Sequence, residues 1–91
     1  MRGFEVHLNG KHLCVAAFDG DGTLVAFIDH IYNNPPSPET WLRVTGSPHA
    51  IQENLRFVDA RLNVGDEVLV RIVETSEPSE PIRREDVSIP K

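Results

Sequence analysis

Two short stretches carry residue types that do chemistry. In Asp19-Gly20-Asp21-Gly22-Thr23, two carboxylates stand at i and i+2 around a glycine. Carboxylates so spaced can converge on a divalent cation, or divide nucleophilic and general-acid roles between them. The second set is Glu5, His7, His12 and Cys14. These are zinc-ligand types, and they meet only if the chain folds back between His7 and His12.

Asn9-Gly10 supplies that fold-back. Asn-Gly between two runs of alternating apolar residues is the strongest short-range hairpin signal, because a type I′ turn needs positive φ at both central residues. A two-residue loop pairs Leu8 with Lys11 and His7 with His12. Strict alternation then predicts Val6 opposite Leu13, Glu5 opposite Cys14 and Phe4 opposite Val15. Phe4, Val6, Leu8, Leu13 and Val15 would face the core, and Glu5, His7, His12 and Cys14 the other side. Opposed Cβ atoms lie roughly 5 Å apart and diagonal ones about 7–8 Å, so a histidine pair with a diagonal cysteine is geometrically sound. The competing reading is a polar, solvated face; the paired Cys-x-x-Cys knuckle of most structural zinc sites is absent.

The remaining elements follow from turn chemistry and periodicity. Residues 23–32 are apolar at Leu24, Val25, Phe27, Ile28, Ile31 and Tyr32. The run is short, β-branched and aromatic, and it predicts a central strand buried on both faces, with a short helix as the alternative. Asn33 to Pro38 is a loop, and Trp41 to Thr45 a short strand with Leu42 and Val44 inward. Residues 48–62 fit helical spacing at Ile51, Leu55, Val58 and Leu62, but also a strand over Asn54 to Asp59 with Leu55 and Phe57 inward; the strand is preferred. Glu67 to Glu74 alternates as a strand. Residues 75–91 are rich in Ser, Glu and Pro, and too poor in apolar surface to offset ordering entropy. They predict a mobile acidic tail, with Val87 and Ile89 able to add only an edge strand before Pro90.

A chain of 91 residues with 40% hydrophobic and 25% charged residues makes one domain of ordinary soluble composition. The formal net charge of −5 argues against nucleic acid as a partner. The lone cysteine excludes an internal disulfide. No apolar run approaches the ~20 residues of a membrane span, and Glu5 and His7 interrupt any signal-peptide core; the expected location is cytoplasmic. Trp41 reads as a partial core residue or an interface anchor. His30 and His49 read as surface or loop positions. Arg56, Arg61 and Arg71 would form a basic stripe if their strands were adjacent, and otherwise pair with Glu53, Asp59 and Glu67.

Phe18-Asp19-Gly20-Asp21-Gly22-Thr23-Leu24 resembles the first motif of the haloacid-dehalogenase phosphatases. The resemblance implies Asp19 as nucleophile, Asp21 as general acid and a nearby magnesium ion. It spans about seven residues. That family places the motif after a strand of a parallel sheet in a much longer chain, with a later lysine, whereas Lys11 is the only interior lysine and precedes the motif. The same residues echo a calcium-binding EF-hand loop, but Ala17 and Ile28 would occupy its two end-ligand positions. More broadly, Phe4 to Lys11, Cys14, Leu42 to Gly46, Asn54 to Phe57 and Leu62 to Glu74 resemble a group of short bacterial β-rich proteins with no assigned activity. Phe57 stands where that group usually has Trp, and Thr45 where it usually has Gly.

The expectation is therefore an all-β chain, an antiparallel sandwich or partly open barrel of about six strands. Residues 1–74 form a single β domain and residues 75–91 the tail. The expected role is non-catalytic protein binding or structural, through a sheet edge to a protein partner or a second copy as a homodimer, with no cofactor and no membrane. No catalytic residue is assigned. Glu5, His7, His12, Cys14, Asp19 and Asp21 are the candidates should a metal bind. The alternatives are a metal-dependent phosphatase-like enzyme using Asp19 and Asp21, and a zinc-binding hairpin face.

Overall fold

The first hairpin sets the register of everything near it. The computed structural model describes residues 1–32 and 38–86. They form β1 (Arg2–Leu8), β2 (Lys11–Ala16), β3 (Gly22–Ile31), β4 (Glu39–Pro48), β5 (Glu53–Leu62), β6 (Val68–Glu74) and β7 (Arg83–Asp86). The turn between β1 and β2 has φ of 53° at Asn9 and 80° at Gly10, both positive as an Asn-Gly hairpin requires. Asn9 also works beyond its own turn. Its side chain accepts from Glu67 N–H and donates to Asp66 Oδ1, each at 2.9 Å. The turn before β6 is thereby tied to the first hairpin.

Two antiparallel sheets result, in strand order β2-β1-β6 and β3-β4-β5-β7, packed as an open sandwich rather than a closed barrel. The all-β antiparallel class is as expected, with seven strands among the described residues where about six were expected. No helix occurs among the described residues: 23–32 falls largely in β3, and the strand expected over 54–59 is present within β5, preceded by a turn at 49–52. No described helix is long and apolar enough to cross a membrane.

Strict alternation fails in the first hairpin. Leu8 pairs with Lys11 and His7 with His12, as expected, but Val6 then pairs with Cys14, and the register shifts between Val6 and His7. Leu13 is the extra residue of a β-bulge, which reverses the facing of everything after it. Cys14 and Ala16 turn inward and are buried, and Val15 turns outward beside Glu5. The expected placement of Cys14 with the polar residues is therefore corrected. Small inward side chains stand where β2 crosses β4 and β5, and they let the two sheets approach. A second bulge lies in β5. Val44 pairs with Val58 and Thr45 with Arg56, so Phe57 is the added residue and Phe57 and Val58 are both buried. Leu42 and Val44 are inward as expected, though β4 runs well beyond 41–45. The Phe18 ring closes one end of this core over Gly46, where a Cβ would lie 3.0 Å from the ring.

The segment expected to be a mobile tail is hydrogen-bonded into both sheets through residue 86. Thr75 N–H donates to Met1 O at 2.8 Å, and Ser79 N–H to Val15 O at 2.9 Å. Val15 N–H returns a bond to Ser79 Oγ at 2.9 Å. Ile82 N–H donates to Arg56 O at 2.7 Å, and β7 then pairs with β5 from Arg83↔Arg56 to Asp86↔Glu53. Apolar side chains are few here, and the segment is held instead by backbone groups that cap the edges of β2 and β5. The edge strand expected at Val87 and Ile89 lies outside the described residues.

Burial pushes the Cys14 thiol up to about 11. Folded protein then holds that proton where unfolded chain loses it, so stability should fall as pH rises from about 9 toward 11. A Cys14→Ala variant should lack this alkaline slope in urea titrations, and native Cys14 should resist thiol reagents until denaturant is added; prompt labelling of native protein would contradict the inward placement. Ser79→Ala should cost about 1 kcal/mol by leaving Val15 N–H without its acceptor, read from the urea midpoint.

Candidate interaction surface

The residues singled out for chemistry are only partly brought together. Glu5, His7 and His12 share the outer face of the first hairpin. His7 Nε2 lies 3.0 Å from Glu5 Oε1, and the two imidazole centroids are 5.3 Å apart, edge to face. Arg71 Nη1 approaches the same carboxylate at 3.3 Å. The hydrogen bond from His7 holds the Glu5 carboxyl below the usual carboxylate range. Cys14 points the other way, into the core, so the four zinc-ligand types do not share a face. Asp19 and Asp21 are exposed on the link from β2 to β3, where Asp21 O accepts from His49 N–H at 2.8 Å. That link carries the chain from one sheet to the other. It is not a bend between paired neighbours, and β2 pairs antiparallel with β1 rather than lying in a parallel sheet. Among the described residues no three or more His, Cys, Asp or Glu side chains are grouped to hold a metal ion.

The outer face of the four-stranded sheet is a cross-strand charge network. Asp59 accepts from Arg56 at 3.1 Å, Arg43 at 3.2 Å and Arg83 at 3.4 Å. Arg43 also donates to Asp29 at 2.7 Å and lies 5.2 Å from the centroid of the Trp41 ring. Partial desolvation pulls the Asp59 carboxyl up, but the hydrogen bonds from Arg56 and Arg43 outweigh it and hold it low. Arg61 pairs with Glu39, and Arg71 with Glu5 in the other sheet. The arginine stripe therefore does not form, because β5 and β6 are not neighbours. Of the pairings expected for these arginines, Arg56 with Asp59 is present.

The opposite side of the sandwich is apolar and open. β3 lies at the edge of its sheet, not at the centre as expected. Its register puts Leu24, Ala26 and Ile28 beside Gly46, Val44 and Leu42 on the inner face. Ile28 is 56% exposed, and on the outer face Val25 and Phe27 are 40% and 39% exposed. A run apolar on both faces reads as a central strand, but here the second sheet does not reach across it. β6, the edge of the other sheet, likewise leaves Val70 and Ile72 exposed. Between them runs an open groove of about 340 Å³, lined by Ala26, Phe27, Ile28, Leu42, Val68 and Val70. No described residue pairs with the free edge of β3 or of β6. The apolar run of 23–32 is the sign of this surface in the sequence, where by pattern alone it reads as core.

Comparison with protein-family models, curated proteins and solved structures gives no match to this chain.

Because the Asp59 carboxyl is depressed in the fold, it contributes stability that is present above the unfolded carboxylate range and is lost as pH falls through its folded value. Asp59→Asn should cost about 2 kcal/mol at pH 7 and flatten the acid limb of the stability curve below about pH 4. An unchanged acid limb in urea titrations would contradict this role.

Proposed function

We propose that this chain is a non-catalytic protein-binding β domain that takes an extended segment of its partner along a free sheet edge. One observation carries the reading. Residues 75–86 cap the edges of β2 and β5, while among the described residues none pairs with the outer edges of β3 and β6, which flank one apolar groove. A long apolar edge without a partner is costly to leave exposed, since it templates pairing with another chain. Strand addition uses that property: main-chain hydrogen bonds supply affinity, and alternate side chains enter the neighbouring groove. The expected occupant has apolar or aromatic residues at every second position. A cytoplasmic setting fits, since Cys14 is a buried free thiol.

A random peptide library selected on the purified protein tests this. Enriched peptides should show period-two apolar patterning and shift the amide signals of residues 22–31 or 68–74. Ile28→Lys should weaken binding about tenfold or more. Peptides that shift only the charged face around Asp59, or a selection with no enrichment, would overturn the proposal.

A further inference from the structure

We infer that β3 pairs antiparallel with β3 of a second copy, about a two-fold axis through Ala26. This rests on the strand-addition reading and names its occupant. β3 pairs with β4 over ten positions, Gly22↔Pro48 to Ile31↔Glu39, without a register shift. From Gly22 to Ile28 it contains no charge and no proline. The devices that protect edge strands, namely bulges, lysines, prolines and short length, are therefore missing from this stretch. β6 is shorter and carries Arg71 at its middle.

The sequence of β3 is matched to itself about Ala26. An antiparallel pair centred there places Leu24 opposite Ile28 of the second copy and Val25 opposite its Phe27. Thr23 meets Asp29, a hydroxyl beside a carboxylate. Opposed residues share a face, so the inner row Leu24, Ala26, Ile28 continues as an apolar row across the axis. No like charges are opposed. Shifting the axis to Phe27 would set Val25 against Asp29 and Leu24 against His30, burying less apolar surface. Both copies keep their own core, and their grooves open toward the common axis.

Sedimentation equilibrium of the full chain over a range of concentrations tests the inference, with pairs of outward substitutions reading the register. Wild type should move with concentration from the monomer mass of 10.2 kDa toward twice that value. Val25→Lys with Phe27→Lys sets lysines opposite lysines and should weaken association about tenfold or more. Val25→Glu with Phe27→Lys sets opposite charges together and should restore it. That variant also controls for folding, because it alters the same two exposed positions. A wild-type mass of 10.2 kDa at every concentration would overturn self-pairing. So would association that survives both substitutions, which would place it elsewhere, or failure of the Glu/Lys variant to recover. The peptide selection reads strand addition separately, because peptides that shift β3 or β6 signals of a monomer would leave that reading standing while self-pairing fell.

Discussion

A strand at the edge of a sheet has backbone donors and acceptors without partners, and the described residues meet that demand on one side only. Residues 75–86 run from the Met1 backbone past Val15 to Arg56 and then along β5. One segment thus caps an edge in each sheet and holds the two together at that side. The sandwich is closed there by hydrogen bonds. At the other side it is left open, because no described strand pairs with the outer edge of β3 or of β6. The apolar groove, its exposed Ile28 and Val70, and the surface proposed for partners all follow from that asymmetry.

The core depends on two added residues. Leu13 and Phe57 each break the alternation of an otherwise regular strand. The first turns Cys14 and Ala16 inward where the sheets cross. The second lets Phe57 and Val58 enter the core side by side. A bulge costs ladder regularity, and in exchange it re-aims side chains by one position. Here that puts small residues at the close approach and a large ring beside Phe18 and Gly46. The same shift takes the thiol away from Glu5, His7 and His12, so packing of the core decides what the polar face contains.

The two outer surfaces of the larger sheet's strands differ in kind. Over β4, β5 and β7 the outward side chains include Arg43, Arg56 and Arg83, which pair with Asp59. Over β3 they are mostly apolar, with Asp29 drawn into the network by Arg43. A desolvated partner surface is compatible with the second and costly against the first, because the arginines and aspartates would lose water without gaining new partners.

The sequence by itself determined the all-β class, the Asn9-Gly10 turn, the first two pairs of the hairpin and the inward positions of Leu42, Val44, Leu55 and Phe57. Each of these rests on interactions among a few adjacent residues: the positive φ that Asn and Gly accept, and the two-residue period of a half-buried strand. It also marked Glu5, His7 and His12 as neighbours. Tertiary structure alone decided that Cys14 lies inside, that the apolar run of β3 is an edge, that Arg43 and Asp59 meet, and that residues 75–86 are an edge cap rather than a loose end. The reason is common to all four. A bulge, a place in the strand order and a pairing across dozens of residues are chosen by competition among distant segments. Composition and periodicity describe each segment without its competitors.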